Sequence, residues 1–331
     1  MSTLALLPDP SSPLEFETAE AAFADILDGR VSDAEIAGFL TGLTLRDETS
    51  IEIAAAARAL RERMIEVKAP TSAIDVCGTG GDGAHSLNIS TAVSIVVAAT
   101  GVPVAKHGNR AASSKAGAAD TLEALGLDLD RASATAEETL AELGLAFLFA
   151  QKHHPALGRL AAVRKAIGRR TIFNLIGPLC NPARTPRQLV GVARTDYLPT
   201  VAQAMTLLGT ESAMIVAGDE GLDELSIAGG SRVVRIGACG DREEHVFPAH
   251  VGVAPHPLTA VRGGDAAYNA AALLALLRGE RGPYRDAVLL NTAAALIVAD
   301  KASDWMEGAA IAAEALDSGA ADRLLQRWIA Y

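Results

Sequence analysis

The chain has 331 residues, a net charge of −11 and a composition that is 50% hydrophobic but only 4% aromatic. Such an acidic chain lacks the broad basic face that nucleic-acid binding requires, so we expect no nucleic-acid partner. The length predicts one large domain with a smaller companion. Apolar surface carried mostly by alanine, leucine and valine is typical of helices packed on a sheet.

Cysteine spacing and hydropathy indicate the cellular compartment of the protein. The three cysteines are far apart in the sequence, which argues against disulfides and structural zinc and favours free thiols. The apolar segment 287–299 lies between two aspartates and is too short to cross a bilayer. Residues 1–10 carry no basic segment. We therefore expect a cytoplasmic protein without membrane contact.

The first 70 residues carry helical signals only. Ser32 with Glu35, and Thr49 with Glu52, have the spacing of capping boxes at helix starts. A helix is predicted over 50–67, because apolar residues recur on one face. These signals predict a small α-helical domain over 1–70, completed by helices from about 155–185.

The pattern changes after Pro70, and residues 71–331 are predicted to form a second, α/β domain. A strand over 73–77, a helix over about 90–100 and a strand over 102–105 form a β–loop–α–β unit, the start of a mostly parallel sheet. Further strands are predicted at 145–149, 188–192, 213–217 and 232–236. Thr135 with Glu138 predicts another capping box, and the chain is mostly helical from about residue 265.

A glycine-rich loop, GTGGDG over 78–83, follows the first predicted strand directly. Glycines let the backbone approach a ligand closely, and their amides can surround phosphate oxygens. Polar residues follow where the next helix begins, and a helix start favours an anion. The same pattern also fits a tight turn with a helix cap, but phosphate binding is favoured over it.

The identity of the phosphate ligand has an alternative. Gly78, Gly80 and Gly83 fit the GxGxxG pattern of dinucleotide-binding folds. Against that fold, the second strand leads into Lys106, where a ribose-binding acid is expected, and Asp82 would repel a bare pyrophosphate. Magnesium between Asp82 and the ligand would remove that repulsion. A Walker A loop is excluded because no Lys-Ser or Lys-Thr closes the motif.

Two further segments are predicted at the same edge of the sheet. Lys106 to Arg110 follow the second strand, where their basic groups can hold phosphates. Asp223 and Glu224 are adjacent carboxylates after another apolar strand, suited to one or two magnesium ions. Taken alone, the acidic pair is more typical of an ordinary solvated turn than of a metal site.

Four motifs together resemble one family, the anthranilate phosphoribosyltransferases. They are GTGGDG with NIST at 88–91, VAKHGNRAASS at 104–114, Arg164 leading into TIFNLIGPL at 171–179, and GLDE at 221–224. The resemblance runs from the helical start to the last helices. It implies a nucleoside-phosphorylase-like fold, with a small N-terminal helical domain, a large α/β domain, a cleft between them and a homodimer formed through the helical domains.

The resemblance also implies a reaction, the transfer of phosphoribose from phosphoribosyl pyrophosphate (PRPP) to anthranilate in tryptophan biosynthesis. The PRPP residues would be Gly78, Gly81, Asp82, Ser86, Asn88, Ile89, Ser90, Thr91, Lys106, His107, Gly108, Asn109, Arg110, Ala111, Ala112, Ser113, Ser114 and Ala118. Anthranilate would contact Gly78, Asn109 and Arg164. Ser90, Asp223 and Glu224 would bind Mg²⁺, as two ions.

One departure and one open role accompany this resemblance. Many members have serine where this chain has Ala118, so one hydroxyl contact to the sugar diphosphate is in doubt. No catalytic dyad or triad is evident, and an aromatic amine is already unprotonated at neutral pH. His107 is a candidate for removing the proton or for positioning the substrate.

Two other functions remain open on sequence alone. A pyrimidine nucleoside phosphorylase has a related fold and a phosphate loop, but needs no paired Asp and Glu. A non-catalytic metabolite-binding relative would be expected to have lost some of these motifs, whereas all four are intact here.

Overall fold

The computed structural model describes residues 6–111 and 115–331. The chain starts with three helices, α1 (Phe16–Leu27), α2 (Asp33–Leu45) and α3 (Ser50–Arg61). Both predicted capping boxes are confirmed at the starts of α2 and α3. Helix α3 ends six residues before the predicted end, because the amides of Ile65 and Val67 donate instead to the carbonyls of His153 and Pro182.

Glu52 lies at the centre of this helical region and is fully buried. Its carboxylate accepts the backbone N–H groups of Leu14 at 3.0 Å and Thr49 at 2.9 Å, and it pairs with Arg46. Burial raises the pKa of Glu52, but the hydrogen bonds from Arg46, Thr49 and Leu14 outweigh burial and lower it. The charged carboxylate therefore ties the N-terminal segment to two helices.

The rest of the chain is built on one seven-stranded sheet with the order β3-β2-β1-β4-β5-β6-β7. The strands are β1 (Ile74–Gly78), β2 (Val104–Gly108), β3 (Leu145–Phe149), β4 (Arg187–Gly191), β5 (Ser212–Gly218), β6 (Ser231–Gly237) and β7 (Arg242–Val246). The first five run parallel, and β6 and β7 run antiparallel. All six predicted strands are confirmed, and the mostly parallel sheet is as expected.

Sequence analysis missed β7, and one capping prediction is wrong. Four of the five residues of β7 are charged or histidine, as is typical of an exposed edge strand, and that pattern hides the strand signal. The Thr135 side chain makes no capping bond, because its hydroxyl donates to the carbonyl of Arg131 in the preceding turn. Gly144, in the left-handed region, ends the helix that follows Thr135.

Within residues 6–111 and 115–331, twelve further helices follow. They are α4 (Ile89–Ala99), α5 (Ala118–Ala124), α6 (Leu129–Ala134), α7 (Ala136–Leu143), α8 (Ala150–His153), α9 (Pro155–Gly158), α10 (Ala161–Ile167), α11 (Leu198–Leu207), α12 (Ala266–Leu277), α13 (Pro283–Val298), α14 (Trp305–Asp317) and α15 (Ala320–Ala330). Short 3₁₀ turns at Ile172–Asn174 and Pro178–Cys180 lie between α10 and β4.

Alternate residues of the strands bury two separate faces of the sheet. Leu189 and Met214 face a core formed with α4 and the last four helices. Val190 and Ile215, their neighbours in sequence, face a second core formed with α1, α2, α3 and α11. Residues of segment 160–180 also join this second core. The helical start is therefore packed on the sheet through continuous apolar contact, and the proposed boundary at residue 70 stays a prediction.

The apolar segment 287–299 belongs to α13, which is buried along most of its length between the sheet and neighbouring helices. Its hydrophobicity serves the core of the α/β domain. Within residues 6–111 and 115–331, none of the helices combines the length and apolar character needed to cross a membrane.

Glu52→Ala should lower the free energy of unfolding by about 3 kcal/mol, because it leaves Arg46 without its partner and buried N–H groups without an acceptor. Urea denaturation measures this loss. Glu62→Ala is the matched control, since Glu62 is the exposed C-cap of the same helix, and it should change stability by less than about 0.5 kcal/mol. Equal losses in the two variants would contradict the role of Glu52.

Candidate active site

Four of the five parallel strands end on glycine at one edge of the sheet, namely Gly78, Gly108, Gly191 and Gly218. The carboxyl ends of parallel strands meet at the same edge, where open sheets bind ligands. Absence of side chains at these four positions lets the following loops come close to the sheet. This edge holds most of the residues singled out in the sequence.

Asp223 fills the space that two of these glycines leave. A Cβ atom on Gly78 would lie 2.3 Å from the Asp223 carboxylate, and one on Gly191 would lie 1.5 Å from its carbonyl oxygen. The carboxylate also accepts the N–H of Gly80 at 2.6 Å. Only glycine at both positions allows Asp223 to lie between the ends of β1 and β4.

Gly80, Gly81 and Gly83 have φ of +67°, +79° and +73°, in the left-handed region that glycine adopts without strain. Apart from the adjacent residues of the chain, no atom that the structure describes lies within 4 Å of a Cβ built on any of the three. The loop after β1 therefore presents exposed, bare backbone on the side where a ligand can approach, as the phosphate-loop interpretation requires.

Three carboxylates lie together beside this loop. Burial, then the charge of Asp82, raises the pKa of Asp223 to about 7. Burial, then the charges of Asp223 and Asp82, raises the pKa of Glu224 well above its usual range. One oxygen of Asp82 and one of Glu224 are buried without a hydrogen-bond partner among the described residues. The cluster has more negative charge and more acceptors than its surroundings satisfy.

The start of α4 closes the cluster from the other side. The N–H of Ser90 donates to Glu224 Oε1 at 3.1 Å. The hydroxyl of Thr91 is buried without a partner within the part of the chain that the structure describes. Helix α4 thus directs its positive end toward the acidic cluster, where an anion bridged by a cation can bind.

Lys106 and His107 lie inside β2, whereas the sequence placed them in a loop after the strand. The reason is that β2 pairs with β3 up to its end, with Lys106 opposite Phe147 and His107 opposite Leu148, whereas β1 and β2 pair only at Ile74 and Val104. The Lys106 ammonium donates to the carbonyl of Val76 at 2.7 Å and to Ser90 Oγ at 3.3 Å. Asp75, fully buried, accepts the N–H of His107 at 3.0 Å.

The Lys106 side chain is buried at the cluster. Burial lowers its pKa, and the carboxylate of Asp75 opposes that effect most strongly. Burial likewise raises the pKa of Asp75, opposed chiefly by Lys106. Each of these two groups therefore favours the charged form of the other, and together they keep a positive charge next to Ser90.

His107 is held by two hydrogen bonds. Its Nδ1–H donates to the carbonyl of Gly177 at 3.1 Å, so Nε2 is the accepting nitrogen, and it receives His154 Nε2–H at 3.2 Å. Burial, then the neighbouring His154, lowers the pKa of His107 to about 3. Both nitrogens are engaged and the ring is neutral, which favours positioning over proton removal.

Asp120 joins residues Arg110 and Ala111, which follow β2, to Gly117. Asp120 accepts the N–H groups of Ala111 at 3.0 Å and Gly117 at 2.8 Å, and it pairs with Arg110. A Cβ on Gly117 would lie 2.4 Å from the Ala111 nitrogen, so glycine is required there. The Arg110 guanidinium also pairs with Glu123, on the side of α5. The assignment of Arg110 to PRPP binding stays a prediction.

The remaining predicted residues have mixed positions. Ala112, Ser113 and Ser114 lie outside the described residues. Ala118 is the first residue of α5, and its Cβ would lie 3.4 Å from a Cβ built on Gly108. Ser86 forms an isolated antiparallel bridge with Arg262, which fixes the end of the glycine loop.

Arg164 lies in α10, on the helical side of the molecule. Its guanidinium lies over the ring of Phe173 at 5.9 Å. It makes no hydrogen bond or ion pair with any side chain that the structure describes. Partial burial lowers its pKa, and no carboxylate offsets this effect. A half-buried cation without a carboxylate is suited to an anionic ligand. Within the described part of the chain, no hydrogen bond joins Arg164 to Gly78 or Asn109.

Two residues of this site, Asp75 and His154, were not singled out for it from the sequence. An acid in the middle of the apolar run 73–77 was the available signal for Asp75, since a buried carboxylate needs a partner. His154 gave only a weak signal, because the spacing of two adjacent histidines supports no metal motif. Contact with residue 107 is visible only in three dimensions.

Comparison with known proteins gives consistent matches. The family model described as glycosyl transferase family, helical bundle domain, matches residues 10–64, and that described as glycosyl transferase family, a/b domain, matches residues 70–322. The chain is 64% identical over 327 residues to anthranilate phosphoribosyltransferase of Novosphingobium aromaticivorans, covering 99% of both chains.

Solved structures agree in fold. The crystal structure of anthranilate phosphoribosyltransferase from Thermus thermophilus is 43% identical with a TM-score of 0.93, covering 98% of this chain and 99% of that one. The Saccharomyces cerevisiae enzyme in complex with PRPP and Mg is 29% identical with a TM-score of 0.88, covering 96% and 93%.

The paired variant Asp223→Asn with Glu224→Gln should raise the free energy of unfolding at pH 8, without divalent cations, by about 2 kcal/mol. A carboxyl whose folded pKa is raised binds more protons folded than unfolded. The destabilisation that such a carboxyl causes is absent below its unfolded pKa near 3.8. It grows as the pH rises to about 7, the folded pKa of Asp223.

The gain should therefore shrink at pH 5, and urea denaturation with a chelator at the two pH values measures it. A variant that is less stable than the wild type at pH 8 would show that the carboxylates are compensated without a cation.

Proposed function

Because the chain belongs to the anthranilate phosphoribosyltransferase family, we propose that it transfers the phosphoribosyl group of PRPP to the amine of anthranilate and releases pyrophosphate. This pentosyl transfer is a step of tryptophan biosynthesis. The observation that carries the proposal is the exposed glycine loop beside carboxylates whose buried oxygens have no partner among the described residues. Loop amides can hold a diphosphate, and the spare acceptors fit the cation that accompanies one.

Magnesium fits these residues. Asp82 and Glu224 each have a buried, unused carboxylate oxygen, and carboxylate oxygen is the ligand that Mg²⁺ prefers. Among the described residues, no group of three or more histidine, cysteine, aspartate or glutamate side chains is arranged to ligate a metal by itself. Protein sites for Mg²⁺ often supply only one or two carboxylates and leave the rest to substrate phosphates and water. Ser90, Asp223 and Glu224 would hold the metal, as two ions in our proposal.

The reaction breaks the bond between the anomeric carbon and the pyrophosphate oxygen and forms a bond from that carbon to the amine nitrogen. Positive charge develops on the sugar and negative charge on the departing oxygen. Bound magnesium supplies electrostatic stabilisation of the leaving diphosphate. The loop amides, the start of α4 and the Lys106 ammonium would stabilise the same negative charge.

The amine nitrogen loses one proton when the new bond forms, and water accepts it. His107 is a weak base, since its pKa is lowered to about 3 and both nitrogens are engaged. Much of the rate enhancement is therefore assigned to holding the two substrates in line, which converts a bimolecular step into an effectively unimolecular one. His107, with Gly177 and His154, would fix the wall against which anthranilate lies.

Arg164 would bind the carboxylate of anthranilate. A guanidinium can hold a carboxylate with two parallel hydrogen bonds, and this one has no such partner among the described side chains. Phe173, which is buried in the second core, would support the Arg164 guanidinium through its ring. Asn109 and Gly78 complete the proposed anthranilate contacts.

We also propose that the protein is a cytoplasmic homodimer formed through its helical start. Large hydrophobic side chains are exposed on this region, among them Leu45 at 69% and Ile65 at 55%. Exposed apolar surface of this kind is typical of an interface.

An assay with PRPP, magnesium and anthranilate, following loss of anthranilate fluorescence, tests the activity. Turnover should need magnesium, and alanine at both Asp223 and Glu224 should raise the magnesium concentration required by about tenfold or more, since each lost metal ligand removes on the order of 1 kcal/mol or more of binding. An unchanged magnesium titration would exclude this acidic pair from the metal site. Phosphorolysis of a pyrimidine nucleoside without anthranilate turnover would contradict the proposed reaction.

Arg164→Ala should raise the KM for anthranilate by roughly tenfold to a hundredfold, because a lost charge-assisted hydrogen bond costs about 1.5–3 kcal/mol. The KM for PRPP should move far less. Lys165→Ala is the matched control, since Lys165 is the next residue of the same helix and is exposed. If the KM values for anthranilate and PRPP rise together, Arg164 supports the structure of the cleft and does not bind the carboxylate. If neither moves, another cation binds the carboxylate.

A further inference from the structure

We propose that Asn269 is a positioning residue for the substrate diphosphate, because it sets which face of the Asn88 carboxamide is turned toward PRPP. The inference rests on the proposed function, since Asn88 is one of the residues assigned to PRPP. Asn269 lies 181 residues away from Asn88 in the sequence, in α12, and is 2% exposed. It belongs to none of the motifs that carry the family resemblance.

Asn88 occupies the N-cap position of α4 but does not act as a cap. An asparagine there normally accepts an N–H of the first helical turn through its side-chain oxygen. The Asn88 side chain makes no such bond. Its Oδ1 accepts instead the hydroxyl of Thr121 at 2.5 Å and Nδ2–H of Asn269 at 2.9 Å. The oxygen is thus withdrawn from the helix start by two donors.

The direction of these hydrogen bonds follows from a backbone amide. The N–H of Gly264 can only donate, and its acceptor at 2.8 Å is therefore the oxygen of the Asn269 side chain. The other end of that carboxamide, which faces Asn88, must be the NH₂ group. The atom of Asn88 that meets this donor must then be its oxygen, and the Thr121 hydroxyl donates to the same atom.

The opposite side of Asn88 consequently carries only donors. Within residues 6–111 and 115–331, the acceptor recorded for Asn88 Nδ2 is the carbonyl of Ala116, at 3.5 Å, the limit of a hydrogen bond. This NH₂ group can donate a hydrogen bond to an anion bound at the start of α4. With the opposite orientation, the carboxamide would present its oxygen to the diphosphate and repel it.

The surroundings hold this arrangement firmly. The N–H of Gly263 donates to the carbonyl of His85 at 2.7 Å, and a Cβ on Gly263 would lie 2.7 Å from the carbonyl oxygen of Ser86. The segment that carries Gly264 is therefore packed directly on the end of the glycine loop. The Tyr284 hydroxyl, from α13, donates to the backbone carbonyl of Asn88 at 3.2 Å. The main chain of Asn88 is fixed separately from its side chain, whose oxygen is held by Asn269 together with the Thr121 hydroxyl.

The experiment measures both Michaelis constants for Asn269→Leu, which keeps the approximate size of the side chain but donates nothing. We expect the KM for PRPP to rise about tenfold, with the KM for anthranilate changed less than twofold. Asn269→Ser, too short to reach Asn88, is a second variant with the same expected result. Thermal melting establishes that the variants are folded.

Asp265→Ala is the matched control. Asp265 caps the same helix through the N–H of Tyr268, and among the described residues no hydrogen bond joins it to Asn88. It should melt at a lower temperature and keep the wild-type KM for PRPP, which separates loss of helix stability from loss of orientation.

A double-mutant cycle tests whether Asn269 acts through Asn88. In an Asn88→Ala background, Asn269→Leu should have no further effect on the KM for PRPP, because the group that it orients is gone. Additive effects of the two substitutions, an unchanged KM for PRPP in both single Asn269 variants, or an equal rise of both constants would overturn the inference. A wild-type chain without PRPP-dependent turnover would instead refute the proposed function.

Discussion

Uncompensated negative charge at the carboxyl edge of the sheet is the constraint around which the site is arranged. Asp82, Asp223 and Glu224 are brought together although burial disfavours their charged forms, as the raised pKa values of Asp223 and Glu224 record. A fold that needed only stability would avoid this cluster, because unpaired buried charge is costly. The hydrogen-bond donors and the lysine around the cluster compensate part of its negative charge.

Compensation comes from three directions and stays incomplete. The N–H groups of Gly80 and Ser90 each donate to one carboxylate, and the Lys106 ammonium lies beside Ser90. These donors fix the geometry of the cluster but leave two buried oxygens free among the described residues. A magnesium–diphosphate unit would supply the missing positive charge, and its own surplus negative charge would meet the loop amides and the start of α4. This complementarity of charge is what supports the proposal that the site binds a metal-bound diphosphate.

Features that depend on local sequence were predictable. The capping boxes of α2 and α3, the six apolar strands and the exposed glycine loop follow from spacing of three or four residues or from single runs. The resemblance of four motifs pointed to the family that the comparisons support.

Features that depend on distant partners were not predictable from one sequence. Asp75 looks like an interruption of a strand until its bond to the His107 amide is seen, and Asn269 looks like a polar residue in an alanine-rich helix. The edge strand β7 was missed because exposure removes the hydrophobic alternation on which strand prediction depends. The early end of α3 is set by His153 and Pro182, about 90 and 115 residues later in the chain.

Segment 177–179 lies between the proposed phosphate site and the proposed anthranilate site, and each of its three backbone carbonyls accepts a hydrogen bond. The carbonyl of Gly177 accepts His107 Nδ1–H at 3.1 Å, that of Pro178 accepts Gln188 Nε2–H at 2.8 Å, and that of Leu179 accepts Arg61 Nε–H at 2.6 Å. These three donors come from β2, β4 and α3, so the segment is tied at once to the sheet and to the helical start.

Each bond has one end on backbone and the other on a largely buried side chain, which leaves the segment little freedom to move relative to the sheet. Phe173, which contacts Arg164, lies four residues before Gly177 on the same stretch. The distance between the proposed anthranilate carboxylate site and the phosphate loop is therefore governed by few bonds. Transfer of a sugar between two bound substrates needs such a fixed separation, because small displacements of the reacting atoms lower the rate steeply.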